Sequence, residues 1–345
     1  MEQEWRLQTQ NLNITSIKEF VFAGFPGVSK FPELIGLTFI VTYILTLLGN
    51  MFIFYVVKKQ ESLRTPMFII ICNLAFSDVI YSTVISPKII QVYLFGSNTI
   101  KSQTCFIQMY FLYFAGSVDS YILLVMAVDR YVSICHPLRY PSLITNKNTH
   151  LMCLIAWIIG ALSPVALVAY ASGLPYCGPN VISHLYCEYG LIVKLACTET
   201  SSIKQMGTSI GSIVLIAVFV LILFSYLRII ISVLKIATTS GRMKAAYTCS
   251  TQLIVIAIYF FPRLFVYIAF TAGLSVQGEA ELRVSLGILY CVLPPLVNPI
   301  IYSFRLNEIK QFVFKLLKQG KITNTGDQIK STAGEQIKTI CASKS

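Results

Sequence analysis

Five charged side chains stand where the chain is otherwise apolar: Asp78, Asp119, Asp129, Arg130 and Arg263. A charge at the centre of a membrane helix costs about 3 kcal/mol on insertion scales, so each one marks a place built for ion binding, ion pairing or anion recognition. Covalent catalysis has no support. No Gly-rich phosphate loop, nucleophile elbow or HExxH motif occurs. The histidines, His136, His150 and His184, share no ligand spacing with the cysteines, so no metal site of the zinc type is expected.

Asp78 lies 12 residues past Pro66, and Asp119 lies 11 residues before Arg130. At helical rise these are depths of about 18 and about 16 Å from the same side, near the midplane. Two ionised carboxylates there need a cation, a shared proton or polar partners. Asn73, Ser77, Ser120 and Asn298 are the partners at hand. A water-filled pocket holding a sodium ion or a proton is one reading; two protonated carboxyls that pack helices together is the other. Arg263 follows Pro262 and shares a helical face with Phe260, Leu264, Tyr267 and Thr271. Turned inward it could grip an anionic or strongly polar ligand with its planar fork of donors. Turned outward it could snorkel to the interface or pair with Glu279 or Glu281.

The elements that carry these groups are membrane spans. Of 345 residues 55% are hydrophobic and only 12% charged, about half the charge of a soluble domain. Apolar stretches of the roughly 20 residues a bilayer requires lie near Ile35–Val57, Met67–Leu94, Phe106–Cys135, Leu151–Ala171, Ile203–Leu234, Ala245–Thr271 and Leu282–Ser303. No signal peptide is recognised before the first, which is expected to act as an uncleaved anchor. The connections on one side carry 18 Lys and Arg against 6 on the other, placing the N-terminus outside and the C-terminus in the cytoplasm. Topology and anionic lipid account for the net charge of +12, and nothing points to nucleic acid.

Outside the membrane the chain should hold Asn13, in an N-glycosylation sequon, and four of ten cysteines: Cys105, Cys177, Cys187 and Cys197. An even number in an oxidising compartment suggests two disulfides. Beyond Arg305, Leu306, Ile309, Val313, Leu316 and Leu317 fall at helical spacing beside Lys310, Lys315 and Lys318. That is an amphipathic helix lying on the inner membrane surface. Residues 1–32 read as an extracellular tail, 33–304 as the membrane domain, 305–318 as the surface helix and 319–345 as a disordered cytoplasmic tail. Pro294, Pro295 and Pro299 should bend or loosen the last span.

"DRY" ending the third span and "NPIIY" ending the seventh resemble the rhodopsin-like G-protein-coupled receptors. "LRTPMFIIICNLAFSD", "MAVDRYVSICHPLRY", "KAAYTCSTQL" and "PPLVNPIIYSFR" are similar to stretches of the odorant receptor family, as are Gly49–Asn50 and the three-cysteine loop after the fourth span. The resemblance implies an all-α seven-transmembrane bundle that binds a small odorant and activates a stimulatory, olfactory-type G protein at the plasma membrane. It implies pairing of Cys105 with Cys187 and of Cys177 with Cys197. It implies a switch of Asp129, Arg130, Tyr131, Tyr226 and Tyr302, and an ion site of Asp78, Asp119 and Asn298. With helical spacing, it implies a ligand pocket of Met109, Leu112, Tyr113, Gly116, Ser117, Met206, Ile210, Phe260, Arg263 and Tyr267. Four positions depart from the family pattern: Asp119 where Glu is usual, Gln252 for His, Phe260 where an aromatic, often Tyr, is usual, and Arg263, which is unusual at its position and is read as a feature of this receptor's own ligand. A receptor for a hormone, peptide or metabolite is the nearest rival. A transporter or channel would show inverted repeats or a continuous polar stripe, and neither is present.

Overall fold

Hydrocarbon leaves a backbone no partner but itself, so long apolar runs become helices. The computed structural model describes residues 17–24, 32–177, 179–236, 238–271 and 279–305. Among them seven helices are long and apolar enough to cross a membrane: Pro32–Lys59, Pro66–Phe95, Ser102–Cys135, Asn146–Ser172, Gln205–Leu234, Thr239–Val266 and Val284–Ser303, spans one to seven. Span six begins at Thr239 rather than Ala245, continuing the helix through "GRMK". Leu37, Leu48, Ile213 and Phe224 face outward and are more than half exposed. A surface this apolar is made for lipid, not water. Asn13, residues 306–318 of the surface helix expected over 305–318, and the tail beyond it lie outside the described residues.

Span four is two helices, Asn146–Leu162 and Val165–Ser172. Pro164, which has no N–H to donate, stands at the junction. Span seven behaves differently. Its helix runs unbroken over Glu279–Arg305 despite three prolines. Pro299 leaves the carbonyl of Pro295 without its intrahelical donor, and Asn50 Nδ2 on span one supplies one at 3.0 Å. Gly49 makes that approach possible, since a Cβ there would stand 2.9 Å from the Pro299 ring.

One end of the bundle, the disulfide end, carries a small sheet that the sequence does not announce. Strand β1 (Glu19–Phe22) pairs antiparallel with β2 (Thr99–Lys101) and parallel with β3 (Val181–Ile182). Phe20 and Phe22 point from β1 into an apolar cluster with Ile100, Tyr176 and Ile182, and Phe20 meets the Tyr176 ring edge-on at 5.4 Å. Residues 17–22 are therefore built into the loops rather than lying free as a tail. Cys105–Cys187 and Cys177–Cys197 are both disulfides. At the other end, the DRY end, the four-residue helix Tyr140–Leu143 follows span three.

Candidate functional site

Beneath the long loop, a cavity of about 450 Å³ opens among spans two to seven. Span three contributes Leu112, Tyr113, Gly116, Ser117, Ser120 and Tyr121, and span five contributes Ile210, Val214 and Leu215. Span six adds Arg263 and Val266. The loop covers it with His184, Tyr186, Glu188 and Tyr189. That lid is held in place by polar contacts that sequence reasoning missed. Gln108 Oε1 accepts from the Cys187 N–H at 3.1 Å, Tyr113 accepts from the Tyr189 N–H at 3.2 Å, and the Tyr186 and Tyr290 hydroxyls meet at 2.8 Å.

Six of the ten expected pocket residues line this cavity: Leu112, Tyr113, Gly116, Ser117, Ile210 and Arg263. Three do not. Met109 is fully buried in the cluster under the sheet, beside Cys105 and Cys187. Met206 is 46% exposed. Phe260 is buried against Phe219, with ring centres 5.1 Å apart. The side chain of Tyr267 lies outside those described. Met109 and Met206 share faces with Leu112 and Ile210, which do line the cavity, but stand about one turn nearer the disulfide end. For Phe260 the physical reason is rotation about the helix axis. At about 100° per residue, Phe260 falls on one side of Arg263 while Tyr259 falls on the other, and the helix turns the Tyr259 side inward.

Arg263 is 92% buried, being 8% exposed. Its guanidinium lies over Tyr259, Tyr290 and Tyr81, at 3.9, 5.4 and 5.5 Å from the ring centres. Nη1 donates to the Tyr259 hydroxyl and, at 3.5 Å, to the carbonyl of Gly116. Nη2 donates to the Tyr81 hydroxyl at 3.1 Å. Cation–π attraction and these bonds replace the water that the charge has lost. Ser120, expected near the carboxylates, meets the Tyr259 hydroxyl at 2.9 Å and so belongs to this cluster.

Deeper in the bundle Asn298 Nδ2 donates to Asp78 Oδ2 at 2.9 Å. Ser77 stands at Asp119 and also donates to the Ala115 carbonyl at 3.2 Å. One oxygen of each carboxylate, Asp78 Oδ1 and Asp119 Oδ1, is buried with no hydrogen-bond partner among the described residues. Asn73 takes no part. Its Oδ1 accepts from the Trp157 indole at 2.9 Å, joining spans two and four.

At the DRY end Asp129 is wholly buried. Its Oδ2 lies 3.8 Å from Arg130 Nε, and its Oδ1 accepts from the Tyr140 hydroxyl at 2.9 Å. Burial, and then the neighbouring carboxylate, push the Tyr140 phenol above its ordinary range, which keeps it a donor. Arg130 Nη2 reaches Met67 Sδ. Tyr226 and Tyr302 are buried in the same apolar cluster, Tyr302 donating to Met126 Sδ at 3.5 Å. The Tyr226 hydroxyl has no partner among the described residues. Tyr131 turns aside, to His136 Nε2 at 3.3 Å.

The family profile described as "Olfactory receptor" matches residues 39–320. The chain belongs to the olfactory receptor family. It is 36% identical to human olfactory receptor 6N1 over 307 residues, covering 89% of this chain and 97% of that one. Human olfactory receptor 10G7 is 35% identical, covering 91% of this chain and 99% of its own. The chain is thus a multi-pass G-protein-coupled receptor of the plasma membrane, and not an enzyme. Within this olfactory receptor, the missed residues are mostly those that hold others: Tyr81, Tyr259 and Tyr290 around Arg263, Gln108 under the lid, and Tyr140 on Asp129. Only the aromatic spacing Tyr259-x-x-x-Arg263 was a readable signal for any of them.

Proposed function

We propose that this olfactory receptor takes a small odorant into the cavity under its long loop and activates a stimulatory, olfactory-type G protein, which raises cyclic AMP. One observation carries the reading: span three lines the cavity from Leu112 to Tyr121 and holds Asp129 and Arg130 at its other end. Gly116 and Asp129 are 13 residues apart, about 20 Å along one rigid helix. In this reading the disulfide end faces outward and the DRY end faces the cytoplasm, as the Lys and Arg distribution requires. The Asp129–Arg130 pair, capped by Tyr140, holds the resting state. An odorant that fits better when spans three and six have shifted favours the state in which Arg130, Tyr226 and Tyr302 regroup and a G protein enters. The shift is limited by that difference in fit.

A sodium ion is part of the same proposal. The unpartnered oxygens of Asp78 and Asp119, with Ser77 and Asn298 nearby, supply the all-oxygen, negatively charged donor set a hard cation takes. Such an ion would supply positive charge where two carboxylates face one another.

The test is odorant-evoked cyclic AMP in cells with and without the stimulatory Gα subunit. A response that requires Gα supports the reading; a current or flux that survives its deletion overturns it.

A further inference from the structure

We infer that the odorant of this receptor is a carboxylate with a small apolar body, held side-on by Arg263. The inference rests on the reading that the cavity is the odorant site. A guanidinium has five N–H donors. Three of the acceptors it meets are protein: the Gly116 carbonyl and the hydroxyls of Tyr259 and Tyr81. Nε is buried and has no hydrogen-bond partner among the described residues. Nη2, beside it, has a second N–H beyond the one given to Tyr81. Nε and Nη2 form one edge of the guanidinium plane, the edge that meets the two oxygens of a carboxylate as a pair of parallel bonds.

Glu188 lines the same cavity, but among the described residues no acid stands within ion-pair distance of Arg263. Among the described residues the two ion pairs within 4.0 Å are Arg64–Glu61 and Arg130–Asp129. Asp119, nearly a turn beyond Gly116 on span three, attracts the guanidinium only through space. The three tyrosine rings solvate the charge from their faces, which steadies a cation without neutralising it. A buried cation of this kind gains most from an anion that arrives with few waters and binds in the plane. A carboxylate does this. Part of the remaining wall, Leu112, Ile210, Val214, Leu215 and Val266, is aliphatic, while Ser117, Tyr121 and Glu188 stand elsewhere on it, so the body of the acid should be hydrocarbon where it meets the aliphatic part. A volume of about 450 Å³ suits a small molecule rather than a peptide.

Full-length receptor, wild type and Arg263→Gln, would be displayed in cells that report cyclic AMP, with surface level measured on the same cells. The probes are straight-chain alkanoic acids, with the primary alcohols and methyl esters of the same chain lengths. Acids should activate the wild type, and the matched alcohols and esters should be weaker by about 10- to 100-fold, the span expected of a paired charge-assisted contact. That advantage should vanish in R263Q and survive in part in Arg263→Lys, which keeps the charge and loses the fork. Should R263Q fail to reach the surface, the wild-type comparison of acid with ester decides alone. Alcohols or esters that match the acids in the wild type would overturn the carboxylate and leave the odorant-receptor reading standing. Silence to all three classes, at a surface-displayed receptor in cells that answer forskolin, would overturn the carboxylate, and with a wider panel of volatiles also silent the receptor reading as well.

Discussion

Arg263 lays its guanidinium on the ring of Tyr259, four residues earlier on the same helix and 3.9 Å from the ring centre. The same phenol reaches Ser120 and the Gly116 carbonyl on span three, so a single hydroxyl ties spans three and six at the cavity floor. Tyr259→Phe keeps the ring and removes the tie. It should cost about 1–3 kcal/mol, because Arg263 and Ser120 lose a buried partner. A fall of several degrees in the thermal midpoint of detergent-solubilised receptor, with surface display retained, is the expected result; an unchanged midpoint would contradict it.

The lid depends on Cys105–Cys187, which closes a separation of 82 residues, more strongly than on Cys177–Cys197, which closes 20. Cross-links over longer loops constrain the unfolded chain more, each worth about 2–5 kcal/mol. Cys105→Ser should abolish surface delivery, and Cys177→Ser should reduce it less. Immunolabelling of unpermeabilised cells reads both, and equal surface levels for the two variants would oppose the ranking.

Asp129 is held by Arg130 and by Tyr140 together. Asp129→Asn still accepts from the phenol but loses the charge that holds Arg130. Tyr140→Phe leaves the charge and removes the bond. Basal cyclic AMP, corrected for surface level, should rise in both, and further in Asp129→Asn. A basal level at or below wild type in Asp129→Asn would refute the latch.

Spans three and four approach closely at Gly160, where a Cβ would stand 2.5 Å from Val118 Cγ2 and 3.2 Å from the Val118 backbone nitrogen. The methyl could move but the backbone cannot without parting the helices. Gly160→Val should therefore destabilise by about 1–3 kcal/mol, as overpacking does. Gly96, where nothing lies within 4 Å of a Cβ but φ is +65°, offers a contrast: its alanine variant pays for backbone strain alone. Thermal midpoints of the two solubilised variants measure this, and a Gly160→Val midpoint above that of Gly96→Ala would count against close packing.

If a sodium ion sits between Asp78 and Asp119, replacing sodium in the medium by an impermeant organic cation should raise agonist potency. Asp119→Asn should erase the effect. Dose–response curves that ignore sodium in the wild type would remove the ion from the proposal.

How far the chain could be read without its fold differs between elements. The seven spans were legible because lipid allows one solution to a long apolar run. The deep aspartates were placed near one depth by counting alone, and Asn298 was found as a partner of Asp78. Asn73 was misassigned, since depth says nothing about which way a side chain faces, and its amide turns to Trp157. Phe260 was misplaced for the same reason, since helical spacing groups residues into faces but leaves the rotation of each face free. Met109 and Met206 share faces with cavity residues but stand about a turn nearer the disulfide end. The sheet was invisible because its strands have four, three and two residues and come from three distant segments.

Apolar length, the Lys and Arg imbalance and a handful of short motifs were enough to establish a membrane bundle of the odorant receptor type. They are local properties, and local properties suffice when the solvent leaves the backbone no alternative. The Arg263 cage was decided by folding. Tyr81, Tyr259 and Tyr290 come from spans two, six and seven, 178 and 31 residues apart in sequence. Only the packing of those helices, with Tyr81 reaching Cys291 on span seven and Arg263 on span six, brings three rings around one charge and leaves one edge of it bare.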